Sequence, residues 1–393
     1  MSDLMRSDDR LHGVVIGGGL VGASAALALA NQGYSVTLIE RQAPQISRGS
    51  LGVDIRNVAL NLASIEFLTS LGVWDERMAT PYQRMRVWEQ WGTGALDLSA
   101  AEVGQERMGA LLEMSVVLDA LWQALERSPV ALALGNLTAL SVTDDGVDLQ
   151  CGDTTLRADF LVAADGGQSA VRKILGEDVE QFAVDQVALA TVLETERPHA
   201  GVAYQRFLQE GPLALLPAPT IEGKHRVSVV WSQTRASAER LAALADEDFD
   251  QEITARSEAC LGQVLAHDQR IIFPLTQQAM TQAAINERVV FIGDAVRIVH
   301  PLAGLGVNLG FEDLQALLEL TRGGLGLGTE RQRRRYNRSC YARARQMIAL
   351  LGAINRFYRR TDPATSWIRN IGVGLFQGIG PLRQQVMREA MGL

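Results

Sequence analysis

The apolar positions fall into runs whose spacing changes along the chain. Leu11–Ile16 is short and mostly apolar and ends in three glycines, which predicts a buried parallel strand. Val21–Gln32 is rich in Ala and Leu and predicts a helix, and Ser35–Ile39 predicts a second strand ending at Glu40. Together they form a β-α-β unit of about 30 residues. Helices are expected over Asn57–Leu71, stopping at Gly72, and over Glu113–Glu126, closed by Pro129. Between 130 and 163 the period shortens. Short strands there are separated by Asp144-Asp145-Gly146 and Gly152-Asp153, both hairpin signals, and Phe160–Ala164 is a buried strand. Residues 185–232 hold four further β-like runs without alternating helices, which points to a second domain. Helices at about 236–245 and 247–265 follow, then a strand at Arg288–Ile292, then mostly helix to the end. The fold class is therefore α/β: a Rossmann-like domain, a β-sheet domain and a helical C-terminal region. Residues 1–10 read as a loose tail.

Composition narrows the class. Of 393 residues, 47% are hydrophobic and 21% charged, an ordinary globular balance. The net charge of −8 argues against a nucleic-acid partner. Three scattered cysteines make neither a disulfide framework nor a zinc site, and they suit a reducing compartment. The polar, acidic start is unlike a leader peptide, and no apolar run is long enough to cross a bilayer. Charge is unevenly placed. From Arg331 to Leu393 there are 13 Arg against Asp362 and Glu389, a balance of +11, which leaves −19 on the first 330 residues. Arg356, Arg359, Arg360 and Arg369 interleave with Phe357, Tyr358, Trp367 and Ile368. This tail fits an interfacial membrane surface or a helix packed on the acidic body.

Three motifs carry chemistry. Gly17-Gly18-Gly19-Leu20-Val21-Gly22 follows a strand and opens a helix, and Glu40 lies 18 residues beyond Gly22 at the next strand's end. That is the setting of a dinucleotide site, with the pyrophosphate on the helix N-terminus and an acidic side chain at the ribose. Asp165-Gly166 ends a strand and precedes a helix. Gly293-Asp294 does the same and continues into His300-Pro301-Leu302-Ala303-Gly304-Leu305-Gly306-Val307-Asn308. An Asp at a strand's carboxyl end is placed to bind a polyol hydroxyl. Gly324–Gly328 and Gly372–Gly374 follow no strand and read as loop or packing features. His12, His199, His225 and His267 show no metal-ligand spacing, and no metal site is expected.

In this order the motifs resemble the class A flavoprotein monooxygenases, the para-hydroxybenzoate hydroxylase family. The segments Arg56–Asn61, Leu71–Trp74, Phe273–Thr276, His300–Gly304 and Ala390–Leu393 look like the ubiquinone-biosynthesis hydroxylases. The resemblance implies FAD held by Gly17, Gly19, Gly22, Glu40, Arg41 and Arg56, with Asp165 and Gly166 at the pyrophosphate. It places Asp294 on the ribitol, and Gly306, Val307 and Asn308 along the pyrimidine edge. It divides the chain into an FAD-binding domain (11–180 and 271–350), a substrate-binding sheet domain (181–270) and an Arg-rich helical region (351–393). Three positions depart from the family pattern: Met114, Arg297 and Leu305, all expected near the flavin.

The implied reaction uses NAD(P)H and O2. Reduced FAD would form a flavin hydroperoxide, whose distal oxygen passes to the ring of a prenylated phenol or quinol. The sheet at 185–232 and the segment Tyr82–Trp91 would roof the substrate. No catalytic side chain is identified, and His300 is a candidate substrate contact. The implied location is cytoplasmic, with peripheral contact on the inner membrane face and other quinone-biosynthesis proteins as partners. Two other readings stay open: a hydroxylase of another aromatic compound, and a non-catalytic flavoprotein scaffold.

Overall fold

In the computed structural model, residues 10–90, 94–152, 154–300, 304–324, 326–359 and 379–393 are described. Five strands form a parallel sheet in the order Val289–Phe291, Phe160–Ala163, His12–Ile16, Ser35–Glu40, Ala131–Leu134. The inner strands are nearly continuous apolar runs because they are buried between the helix Leu20–Asn31 and the antiparallel hairpin strands over 146–158. The helix Leu20–Asn31 packs between the helices Met114–Glu126 and Leu305–Thr321 and buries the Ala/Leu run seen in the sequence. The hairpin strands Leu137–Thr143, Gly146–Cys151 and Thr154–Ala158 form a separate antiparallel sheet, with Asp144-Asp145 as a two-residue loop.

A second, mixed sheet contains Val264–His267, Val187–Thr195, Lys224–Gln233, Pro212–Ile221, Val202–Phe207, Arg84–Glu89 and Ala95–Ser99 in that order. Ile271–Pro274 also pairs with Val187–Thr195. The sheet thus extends beyond the 181–270 boundary expected from sequence. Arg84–Glu89 pairs in parallel with Val202–Phe207 and covers what would otherwise be an exposed edge.

Two helices differ from expectation. Asn57–Asn61 is a strand, paired antiparallel with Gly109–Glu113. The helix begins at Leu62 because the Asn61 side chain accepts the Ser64 N–H at 2.9 Å and caps it. The helix expected over 247–265 ends at Arg256, and Val264–His267 joins the mixed sheet instead.

The helix Glu330–Arg359 packs on Leu305–Thr321, and Gly380–Met391 buries Met387 and Met391 against Val103 and Met108. Several C-terminal arginines face acidic partners on the body: Arg343 pairs with Glu312, Arg345 with Glu180 and Arg383 with Glu102. Tyr358 stacks on Phe207 with centroids 3.9 Å apart. For these residues the body-packing reading of the tail holds. Arg360, Trp367, Ile368, Arg369 and Gly372–Gly374 lie outside the described residues, as do Trp91 and Pro301–Ala303. Among the described residues no helix is long and apolar enough to cross a membrane.

Candidate active site

The parallel sheet brings the three motifs together. Ile16 pairs with Ala163, and Ala163 with Phe291, so Gly17, Asp165 and Asp294 leave the same carboxyl edge from three adjacent strands. Glu40 leaves that edge from the fourth, since Ile16 also pairs with Ile39. Neighbouring strands lie about 4.8 Å apart, so motifs far apart in sequence stand in one row.

The first end of this row is a phosphate-sized cradle. Gly17 has φ +104°, and a Cβ there would lie 2.4 Å from the Ala164 carbonyl oxygen. A Cβ at Gly22 would strike the Gly17 carbonyl oxygen, whereas one at Gly19 would meet nothing within 4 Å. Gly19 caps the helix Leu20–Asn31 with no side-chain hydrogen bond, and the first turn holds no acidic residue. The helix N–H groups therefore remain open to an anion. Glu40 accepts hydrogen bonds from the Gly18 N–H at 2.5 Å and the Arg41 N–H at 2.8 Å, which fixes the glycine turn. A cavity of ≈ 360 Å³ is lined by Gly17, Gly19, Glu40, Arg41, Asp165 and Gly166. One Asp165 oxygen accepts the Ala170 and Val171 N–H groups and starts a helix. The other is buried without a hydrogen-bond partner. An open helix N-terminus, a cradle without side chains and an unsatisfied carboxylate oxygen fit an adenine dinucleotide. Arg41 is 81% exposed at this mouth. Arg56 is also largely exposed, its Nε 3.8 Å from Asp54.

The second end opens into a cavity of ≈ 270 Å³ between the two sheets. Asp294, Gly306 and Val307 line one side, Met114 and Leu111 another, and Tyr82, Met85, Ala203, Gln205 and Val230 form the roof. Asp294 is open to solvent here, yet the protein around it raises its carboxyl above the usual range by desolvation. Gly304 has φ +64°, and a Cβ there would press on the Ala59 side chain at 2.9 Å. It opens the helix Leu305–Thr321 with no side-chain cap and no acidic residue in the first turn, so a second helix N-terminus faces this region. Among the described residues no cluster could hold a metal ion.

The structure gives several of these residues surroundings that the sequence did not show. The Asn308 side chain is buried and fully engaged: it donates to the Ala59 and Gly304 carbonyls and accepts from Asn61 N–H and Ser64 Oγ. It pins the helix to the strand Asn57–Asn61, so only its backbone remains for a ligand. Arg297 keeps its charge inside the protein. It is buried, with Nη1 2.6 Å from Asp313 Oδ1 and Nη2 donating to the Leu309 carbonyl. Asp313 in turn accepts the Gly293 N–H at 3.1 Å, which ties the pair to the Gly293-Asp294 turn. His300 is 3% exposed and lines a different concavity with Gln277 and Leu351. Desolvation pushes its pKa down to about 4. Of the departures, Met114 lines the cavity, and Leu305 is the first residue of its helix.

The sequence reading missed Asp54. It is buried, accepts the Arg56 and Ser115 N–H groups, and donates its own N–H to Glu113. This holds the start of the helix Met114–Glu126, and Met114 with it. An Asp between two apolar residues carries no sequence signal for such a task.

A model of the FAD binding domain matches residues 10–350. The 3-demethoxyubiquinol 3-hydroxylase of Escherichia coli is 32% identical, over 96% of this chain and 98% of its own length. The ubiquinone hydroxylase UbiL of Rhodospirillum rubrum is 33% identical, over 96% and 89%. Among solved structures, Pseudomonas aeruginosa PqsL in complex with 2-aminobenzoylacetate matches with TM-score 0.76 and 19% identity, over 93% of this chain and 99% of that one. Klebsiella pneumoniae HpxO complexed with FAD matches with TM-score 0.74 and 17% identity, over 97% and 98%. At these identities the two structures share the fold.

Proposed function

We infer the reaction from one premise: the chain belongs to the family defined by this FAD binding domain, within the branch of the ubiquinone hydroxylases. It is an FAD-dependent monooxygenase that hydroxylates an aromatic ring in ubiquinone biosynthesis, with a quinol or phenol and O2 as substrates. The observation that carries the reading is the row of Gly17, Asp165 and Asp294 on adjacent strand ends, running into a mostly apolar cavity. When bound, FAD reduced by NAD(P)H supplies O2 activation and transfer of one oxygen atom.

The chain's own residues do the rest. The helix N-terminus at Gly19 holds the pyrophosphate, Glu40 the adenosine ribose, and Asp294 the ribitol hydroxyls. The backbone of Gly306, Val307 and Asn308 borders the ring system. The apolar walls formed by Val58, Leu111, Met114 and Val230 exclude water from the reacting ring. A prenyl tail suits this lining, and the exposed part of the Arg-rich C-terminal region supports peripheral contact with the inner membrane face, beside other quinone-biosynthesis proteins. Quinone profiling of a deletion strain tests the reading. The expected result is loss of ubiquinone with accumulation of a ring lacking one oxygen; an unchanged profile would overturn it.

A further inference from the structure

Gln205 sits in the strand Val202–Phe207, where alternation sends its side chain to the cavity side together with Ala203. The residue is 8% exposed, and among the described residues its amide makes no hydrogen bond. A buried amide can form up to four hydrogen bonds, and leaving them unmade costs free energy unless a ligand or water completes them. Its cross-strand neighbour on the same face is Ala214, which has no polar atom to offer and no bulk to cover the amide. Of the other polar side chains of the lining, Tyr82, Tyr204 and Ser232 offer a single hydroxyl each, whereas the Gln205 amide offers both donors and an acceptor. Asn57 donates to the Asp54 carbonyl and to Ser228 Oγ. The Tyr82 hydroxyl lies against Gly109. Asp294 stands on the wall assigned to the cofactor.

We propose that Gln205 is the specificity-determining contact for the substrate ring, its amide paired with a ring hydroxyl of the phenol or quinol. The assignment rests on the function proposed above. It explains how a largely apolar cavity distinguishes an oxygenated ring from an equally apolar hydrocarbon. A site built to hydrogen-bond a hydroxyl rejects the analogue lacking it, because its own polar group is then left unpaired.

The test compares a short-chain prenylphenol with the prenylbenzene that lacks the hydroxyl. Binding of each to the FAD-loaded protein is measured by calorimetry, for wild type and for Gln205→Leu. The wild type is expected to prefer the phenol, and Gln205→Leu to lose about 10-fold of that preference. FAD affinity should be equal in the two proteins, which shows that the variant is folded. An equal preference in both would overturn the assignment of Gln205 and leave the function standing. No phenol binding by the wild type would overturn both. Gln205→Asn, which keeps the amide on a shorter stem, should recover part of the preference; recovery no better than Leu would also count against the assignment.

Discussion

The two faces of the mixed sheet are made by alternate residues of the same strands, and they do opposite things. One face carries Leu189, Leu193, Leu215, Val229 and Trp231, and packs on Phe249 and Ile253 of the helix Asp246–Arg256. The other carries Ala190, Ala203, Ala214, Val230 and Ser232, and meets the FAD-binding domain. Both faces are covered, so the difference is one of size. Large side chains fill the helix-covered face, while small ones on the other leave a cavity. Burial alone would have called both faces core. What separates a wall from a filling is the volume left unoccupied.

Substitutions on the two faces should therefore have different effects. The largest effect is expected on the filled face. Phe249→Ala should cost about 3–5 kcal/mol of unfolding free energy, read by urea denaturation, while the folded fraction keeps its KM for the phenol. A shifted KM without loss of stability would mean that the filled face shapes the cavity after all.

Acid should act away from the cavity, at the concavity lined by His300, Gln277 and Leu351. His300 is held neutral by burial, with its pKa down at about 4 against 6.5 for an exposed imidazole. Between those values the unfolded chain binds a proton that the native chain refuses. Stability is therefore fully present above pH 6.5 and falls as pH drops towards 4, by roughly 3 kcal/mol. His300→Gln should flatten that part of the denaturation profile, and an unaltered slope would remove His300 from the account.

On the cavity face the effect should be on binding. Ala214→Leu fills space and should lower kcat/KM for the phenol about 100-fold, or ~2.7 kcal/mol, with little change in thermal stability. A stability loss with unchanged kinetics would show that this face is ordinary core. The cofactor contact itself comes last. Asp294→Ala should weaken FAD by about 1.5–3 kcal/mol, seen in a fluorescence titration, and leave the mixed sheet's stability unaltered.

The parallel sheet and its strand-end motifs were legible because they rest on local rules: an apolar run, a turn residue, a helix start. Contacts made by topology were not legible. The strand Arg84–Glu89 joins the mixed sheet by pairing with a segment over a hundred residues away, and nothing near it announces a partner. The partner of Arg297 was not legible either, because Asp313, 16 residues on, meets it only through the fold. Gln205 carries no signal in the sequence, since a lone polar residue in a strand ordinarily faces solvent. Only a sheet covered on both faces turns that position into a buried, open amide. Asn61 failed differently: its capping role was local, but the preceding strand is too short and too polar at its start to stand out from the helix it feeds.

On the proposed function, this chain puts one atom of O2 onto the ring of a phenol bound in the cavity lined by Gln205. The direct measurement is turnover of the FAD-loaded protein with NAD(P)H, a short-chain prenylphenol and oxygen-18 gas, followed by mass spectrometry of the product. One labelled oxygen on the ring is the predicted result. NAD(P)H oxidation that yields only hydrogen peroxide, or a product oxygen drawn from water, would contradict it.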